Sequence, residues 1–287
     1  MLQIREGLAL VERDLKDISA LLAKLAKDHR NTPIIGRGNL QQATPITFGC
    51  KMASILAGIE RHRERLQQLK PRVLVGEFGG TLGTLSSLET GAMETQAGLM
   101  KELGLGQPLI SWHTVRDNFA EVGAFLGIVG GSLGKIAMHV KLLMQTDVAD
   151  VFESFAPSRG SSSTMPQKRN PISCPYIHAN ISVVRQLAAS LMGVMAADHE
   201  CSTGPWEIEW VAMPEIFCLM SGALKQTKFI LAGLEVDAVQ MRSNIDMTHG
   251  LVMTEEVMMG LSPYIGRDVR MTWCTTSAAM RSRSSAH

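Results

Sequence analysis

The chain has 287 residues, a formal net charge of +1 and 45% hydrophobic residues, which is enough core for one large domain or two smaller ones. A charge this near zero offers no basic stripe for nucleic acid, and the cluster Arg61–Arg65, interleaved with Glu60 and Glu64, reads as a solvated helix face. Cys50, Cys174, Cys201, Cys218 and Cys274 form no CxxC pair or metal-ligand spacing and read as reduced, intracellular thiols.

Only 5% of residues are aromatic while Met reaches 18, a composition that favours helix over sheet. The chain opens on a seam of Ile4, Leu8, Val11, Leu15, Ile18, Leu22 and Leu25, at alternating steps of four and three. That spacing predicts one long amphipathic helix, with Arg5, Glu12, Arg13, Lys16, Asp17 and Lys24 on its other face. No charged segment followed by an apolar one marks a secretory signal. Residues 31–45, with Pro33, Gly36 and Gly38, read as a loop. A second long helix is expected from about Thr47 to Leu69, stopped by Pro71. The glycines of Glu77–Thr84 match no nucleotide-binding pattern and read as a tight turn.

Further helices are predicted over 87–103, from a Thr114 or Asp117 cap to about Gln145, and over 172–199, 207–233, 236–245 and 252–261. The stretch Phe119–Gly134 contains Glu121 and is shorter than the ~20 residues of a membrane span, so it reads as a buried helix of a cytoplasmic protein. Its glycines at 123, 127, 130, 131 and 134 predict a second helix packed closely against it. The reading is all-α: a long antiparallel helical bundle over 1–233, a smaller helical remnant over 234–267 and a poorly packed tail over 268–287. Apolar stripes of this length predict oligomerisation through helix packing.

The densest polar segment is Gly160-Ser161-Ser162-Ser163-Thr164-Met165-Pro166-Gln167-Lys168-Arg169-Asn170-Pro171. A flexible linker or a phosphorylation site is the plain alternative. As a site, it offers a hydroxyl that a nearby cation can push towards alkoxide, with Lys168 and Asn170 to hold a carboxylate. Backbone N–H groups near Met165 would take up a developing oxyanion. Such a set suits proton abstraction beside a carboxylate. Asp147, Asp150 and Glu153 read as a solvated turn, and no metal site is expected, since no His joins them at ligand spacing.

Gly160–Pro171 closely resembles the GSSxMPxKxNP signature loop of the fumarase/aspartase superfamily, and Gly36–Pro45 resembles its second signature region. Trp112–Asp117, Met144–Thr146 and Trp206–Trp210 look most like the 3-carboxy-cis,cis-muconate cycloisomerase branch. The resemblance covers roughly residues 1–267. It implies Ser162, six positions before Lys168, as the catalytic base, with Lys168, Ser163, Thr164, Met165 and Asn170 binding substrate or stabilising an aci-carboxylate. It also implies Arg37, Asn39 and Gln41 as substrate contacts, and His113 and Arg116 as general acid and carboxylate anchor. For His113 a plain place at a helix N-terminus stays open. It implies a homotetramer around a central bundle, active sites drawn from three subunits, a small polycarboxylate substrate and neither metal nor organic cofactor.

Four departures from the family pattern stand beside the match. The N-terminal helical domain is missing, Gly38-Asn39 replaces Thr-His, His199-Glu200-Cys201 replaces His-Glu-Arg, and the tail after Arg267 is unlike the family's. The reading is a cofactor-independent lyase or cycloisomerase. Its alternatives are a related decarboxylase, or a catalytically degenerate homologue acting by binding or assembly.

Overall fold

The computed structural model describes residues 1–88, 90–154, 160, 164–165 and 167–265. Five long helices make its body: α1 (Leu2–Asp28), α2 (Phe48–Val73), α4 (Asp117–Leu143), α5 (Ser173–Gly193) and α6 (Pro205–Ala232). Shorter helices α3 (Ala92–Leu103), α7 (Ala238–Asp246) and α8 (Thr254–Ile265) lie between or after them. The predicted tail from Asp268 lies outside the described residues.

Each residue of the α1 seam is buried, against α2 and α6. A second contact fixes the α1–α6 pairing: Lys228 on α6 donates to Asp14 at 2.7 Å, and that carboxylate is buried in the interface. At the α1–α2 turn, a Cβ on Gly49 would lie 2.5 Å from the Ala26 carbonyl oxygen and 2.7 Å from the Arg30 Cα. Only glycine lets the start of α2 cross the end of α1 so closely.

α4 occupies the centre and packs on α2, α5 and α6. Its glycine stripe meets α5 as expected. A Cβ on Gly123 would approach Leu191 and Ala188, and one on Gly130 or Gly134 would approach Ile181. Gly131 differs, facing open space. By length and composition α4 could cross a bilayer, but Val122, Leu126, Val129, Leu133 and Ile136 are part of the bundle's own core.

Residues 31–45 are a correction. They do not form a loop but an antiparallel hairpin, β1 (Pro33–Gly38) with β2 (Gln41–Thr47). Ile34 and Ile35 are fully buried, and that burial outweighs the turn-forming residues around them. Asn39 and Leu40 make the two-residue tip with φ of 50° and 64°, the positive values such tight hairpins require. Pro71 does not stop α2, which runs on to Val73; in the last turn its missing N–H costs one bond only. The α4 N-cap is Arg116, with no side-chain cap from Thr114 or Asp117. Two-residue strands β3 (Val151–Phe152) and β4 (Glu235–Val236) pair the segment after α4 with the segment after α6.

His62 on α2 is buried against α4. Arg65 lies 3.2 Å from Nδ1, so Nδ1 accepts and the Nε2–H donates to Ser132 at 2.7 Å. Burial, then Arg65 and Arg61, push its pKa down to about 4. The unfolded chain, with His near 6.5, therefore binds more protons than the fold between about pH 4 and 6.5. This stability is present above 6.5 and is lost as pH falls through that window. Urea unfolding at pH 7 and pH 5 should show about 2 kcal/mol of loss that His62→Gln does not show. Equal losses in both proteins would mean that His62 is not buried neutral.

Candidate functional site

The signature loop is pinned where it meets the bundle. Gly160 has φ 73°, and its carbonyl accepts from the Asn170 N–H at 3.0 Å. A Cβ on Gly160 would lie 2.7 Å from the Asn170 carbonyl oxygen, so glycine is required there. Arg169 donates to both carboxylate oxygens of Glu235 at 2.8 Å and to the Glu153 carbonyl at 2.7 Å, and stacks 4.7 Å from the Phe152 ring centre. The Glu153 carboxylate accepts from the N–H groups of Ser173 and Cys174 at 3.0 and 3.1 Å, capping α5 from a distance. Burial, and then the Glu153 carboxylate beside it, push the Cys174 thiol pKa up and hold it protonated.

Beside this loop lies a cleft of about 720 Å³, walled by Lys141 and Met144 at the end of α4, by Gln145, Thr146 and Ala149 after it, and by Met165 and Gln167–Pro171. Its polar walls are Lys141, Gln145, Thr146, Gln167, Lys168, Arg169 and Asn170, and no carboxylate lines it among the described residues. Arg169 is engaged by Glu235, whereas Lys141 and Lys168 have no ion-pair partner among the described residues. Thr164 and Met165 are exposed. Ser162 and Ser163 lie outside the described residues.

The second signature reaches the same end of the molecule. Arg37 on β1 donates to Asp150 at 3.0 Å, and Asp150 also accepts from Asn244 at 2.8 Å. The hairpin is thereby tied to the turn that walls the cleft. Asn39 and Gln41 sit exposed at its tip. Asp150 and Glu153 are buried, which corrects the solvated-turn reading. Their charges hold Arg37 and the α5 N-terminus, partners that local sequence did not reveal.

His113 and Arg116 lie elsewhere, at the opposite end of α4. That helix has 27 residues, so its ends are about 40 Å apart. Arg116 is buried in an ion pair with Glu209 on α6, donating through Nε at 2.7 Å and also through Nη2. It further donates to the His113 carbonyl at 3.1 Å and lies 4.2 Å over the Phe119 ring. The His113 ring sits edge-on to Trp206, at 5.4 Å between centres. One chain thus brings Lys168, Met165 and Asn170 together, with Arg37 nearby, and keeps His113 and Arg116 apart from them. The Arg116–Glu209 pair was not foreseen; the Glu-x-Glu between Trp206 and Trp210 was its one sequence signal.

A central bundle with a cation-walled cleft beside a glycine-hinged loop defines an all-helical protein suited to small anions. A family model described as lyase matches residues 1–186. Trans-aconitate decarboxylase 1 of Mycosarcoma maydis is 51% identical over 267 residues, covering 93% of this chain and 54% of that protein. The 3-carboxy-cis,cis-muconate cycloisomerase of Pseudomonas aeruginosa is 47% identical over 268 residues, 93% of this chain and 60% of that protein. The crystal structure of 3-carboxy-cis,cis-muconate lactonizing enzyme from Pseudomonas putida superposes with a TM-score of 0.92 at 43% identity, covering 100% of this chain and 64% of that one. The chain belongs to the fumarase/aspartase superfamily of lyases. It spans 54–64% of the length of these relatives.

Proposed function

We propose that this protein is a cofactor-independent, cytoplasmic lyase or cycloisomerase acting on an unsaturated polycarboxylate. The observation that carries the reading is the cleft beside the signature loop, which among the described residues has two lysines without an ion-pair partner and no acidic lining. A multiply charged anion would replace the missing counter-charge there. Ser162 is the proposed proton-transfer group at the carbon next to a carboxylate. Lys168 and Asn170 hold that carboxylate while its charge grows into an aci-carboxylate, and Ser163, Thr164 and Met165 complete the loop's contacts.

Trans-aconitate and 3-carboxy-cis,cis-muconate, the substrates in the relatives' names, are both alkenes bearing three carboxylates. Decarboxylation breaks a carbon–carboxylate bond, releases carbon dioxide and protonates the electron pair left behind. Lactonisation adds a carboxylate oxygen across the double bond and protonates the neighbouring carbon. Both need the remaining carboxylates held and one proton delivered. A second observation supports a multi-chain site, most simply a homotetramer: His113 and Lys168 are at opposite ends of α4. Ile128 and Met138 on α4, Val183 on α5, and Trp210 and Val211 on α6 are exposed apolar residues that such packing would cover.

The protein should be mixed with trans-aconitate and with 3-carboxy-cis,cis-muconate, following alkene absorbance and released carbon dioxide. Carbon dioxide release with the double bond kept in the product, at most shifted, identifies a decarboxylase, and loss of a double bond without carbon dioxide a cycloisomerase. Silence from folded, oligomeric protein would support the binding-only reading instead. That reading draws on Arg116 being occupied by Glu209, and on Cys201 standing where the family pattern has arginine.

A further inference from the structure

We infer that Lys141 is a second carboxylate-holding cation of the cleft, binding a carboxylate remote from the reacting carbon and so selecting substrates that carry more than one. The inference rests on the proposed function and deepens it.

Lys141 lies in the last turn of α4 and lines the same cleft as Lys168 and Asn170 of the loop. A lysine there has an ordinary structural explanation, since a cation near a helix C-terminus complements its carbonyl dipoles. Three observations go further. The first is that no acidic residue lines the cleft among the described residues. The second is the state of the groups around Lys141. Glu153 is committed to two N–H groups of α5, and the Cys174 thiol beside it is held protonated. His178 is shifted towards its neutral form by burial first and then by Lys141 and Arg185, so neither the thiol nor the imidazole offers Lys141 a counter-charge, and the Glu153 carboxylate, turned to the α5 N–H groups, forms no ion pair with it. The third is the division of labour among the cleft's three cations. Arg169 is tied down by Glu235 and Glu153, leaving Lys141 on the helix and Lys168 on the loop as the two free ends of the site.

A ligand with more than one carboxylate offers an anion to each lysine, whereas a monocarboxylate offers only one. Gln145 and Thr146, four and five positions after Lys141, line the same cleft and supply neutral donors. Lys141 would therefore act on binding and specificity, not on proton transfer.

The test uses the full chain in its assembled state and propane-1,2,3-tricarboxylate as probe, measured by titration calorimetry at constant ionic strength. Lys141→Met should weaken binding by about tenfold or more, the usual cost of a lost charge-assisted contact. Lys141→Arg should stay within about threefold of wild type. Lys135→Met, which removes an exposed cation from another face of α4, should leave affinity unchanged. If Lys141 only complements the helix end, Lys141→Met will lower the Tm while binding the probe as wild type does, and the inference fails alone. If Lys135→Met weakens binding as much as Lys141→Met, general charge explains the effect and the inference also fails. Wild-type protein that does not bind the probe overturns both the inference and the polycarboxylate reading beneath it.

Discussion

Glu209→Gln should destabilise the chain by about 3–5 kcal/mol, the cost of leaving one partner of a buried ion pair without the other. The Arg116 and Glu209 side chains are 8% and 4% exposed, so water cannot replace the lost carboxylate. The guanidinium would remain charged, since arginine does not release its proton in proteins. Its stacking on Phe119 and its bond to the His113 carbonyl are too weak to balance the desolvated charge. Urea unfolding at pH 7 measures the loss. The double variant Arg116→Met, Glu209→Leu should recover most of it, because two apolar side chains of similar volume need no counter-charge. A loss below about 1 kcal/mol in Glu209→Gln would mean that the pair is solvated, as surface pairs are. The double variant separates stability from function: it keeps the bundle while removing the cation that the family pattern assigns to a carboxylate.

This pair also marks where the sequence stops being legible. The α1 seam and the α4 glycine stripe could be read because helix packing repeats along the chain, so seven apolar positions or a run of glycines carry one message. The hairpin at 33–47 could not, because its strands are short and its burial rests on Ile34 and Ile35 among turn-forming residues. Asp150 and Glu153 looked like a solvated turn because their partners, Arg37, Asn244 and the α5 N-terminus, lie 20 to 113 positions away. The signature loop was legible as a motif. Its cleft was not, since the α4 end and Lys141 enter it only through the packing of α4 on α5. Glu235, which holds Arg169, comes from beyond α6 and was invisible for the same reason.

Mixing two inactive variants should restore activity. Ser162→Ala should lower kcat by roughly 10²–10⁴-fold, the usual contribution of a positioned proton-transfer group. His113→Ala removes a residue at the far end of α4, about 40 Å from the loop side of the same chain. If one active site needs both residues, it must take them from different copies. Co-refolding the two variants in equal amounts then builds some sites with Ser162 from one chain and His113 from another. In a random assembly roughly a quarter of sites would carry both wild-type residues, and activity should recover to that level. Each variant alone would stay silent at any concentration. Recovery near zero, with mixed oligomers demonstrated by mass spectrometry, would mean that His113 and Ser162 do not share a site. His113 would then be a helix-end residue packed on Trp206, and the proton delivered with Ser162 would have to come from another group at the loop end. Near-full activity in His113→Ala by itself leads to the same conclusion without the mixing step.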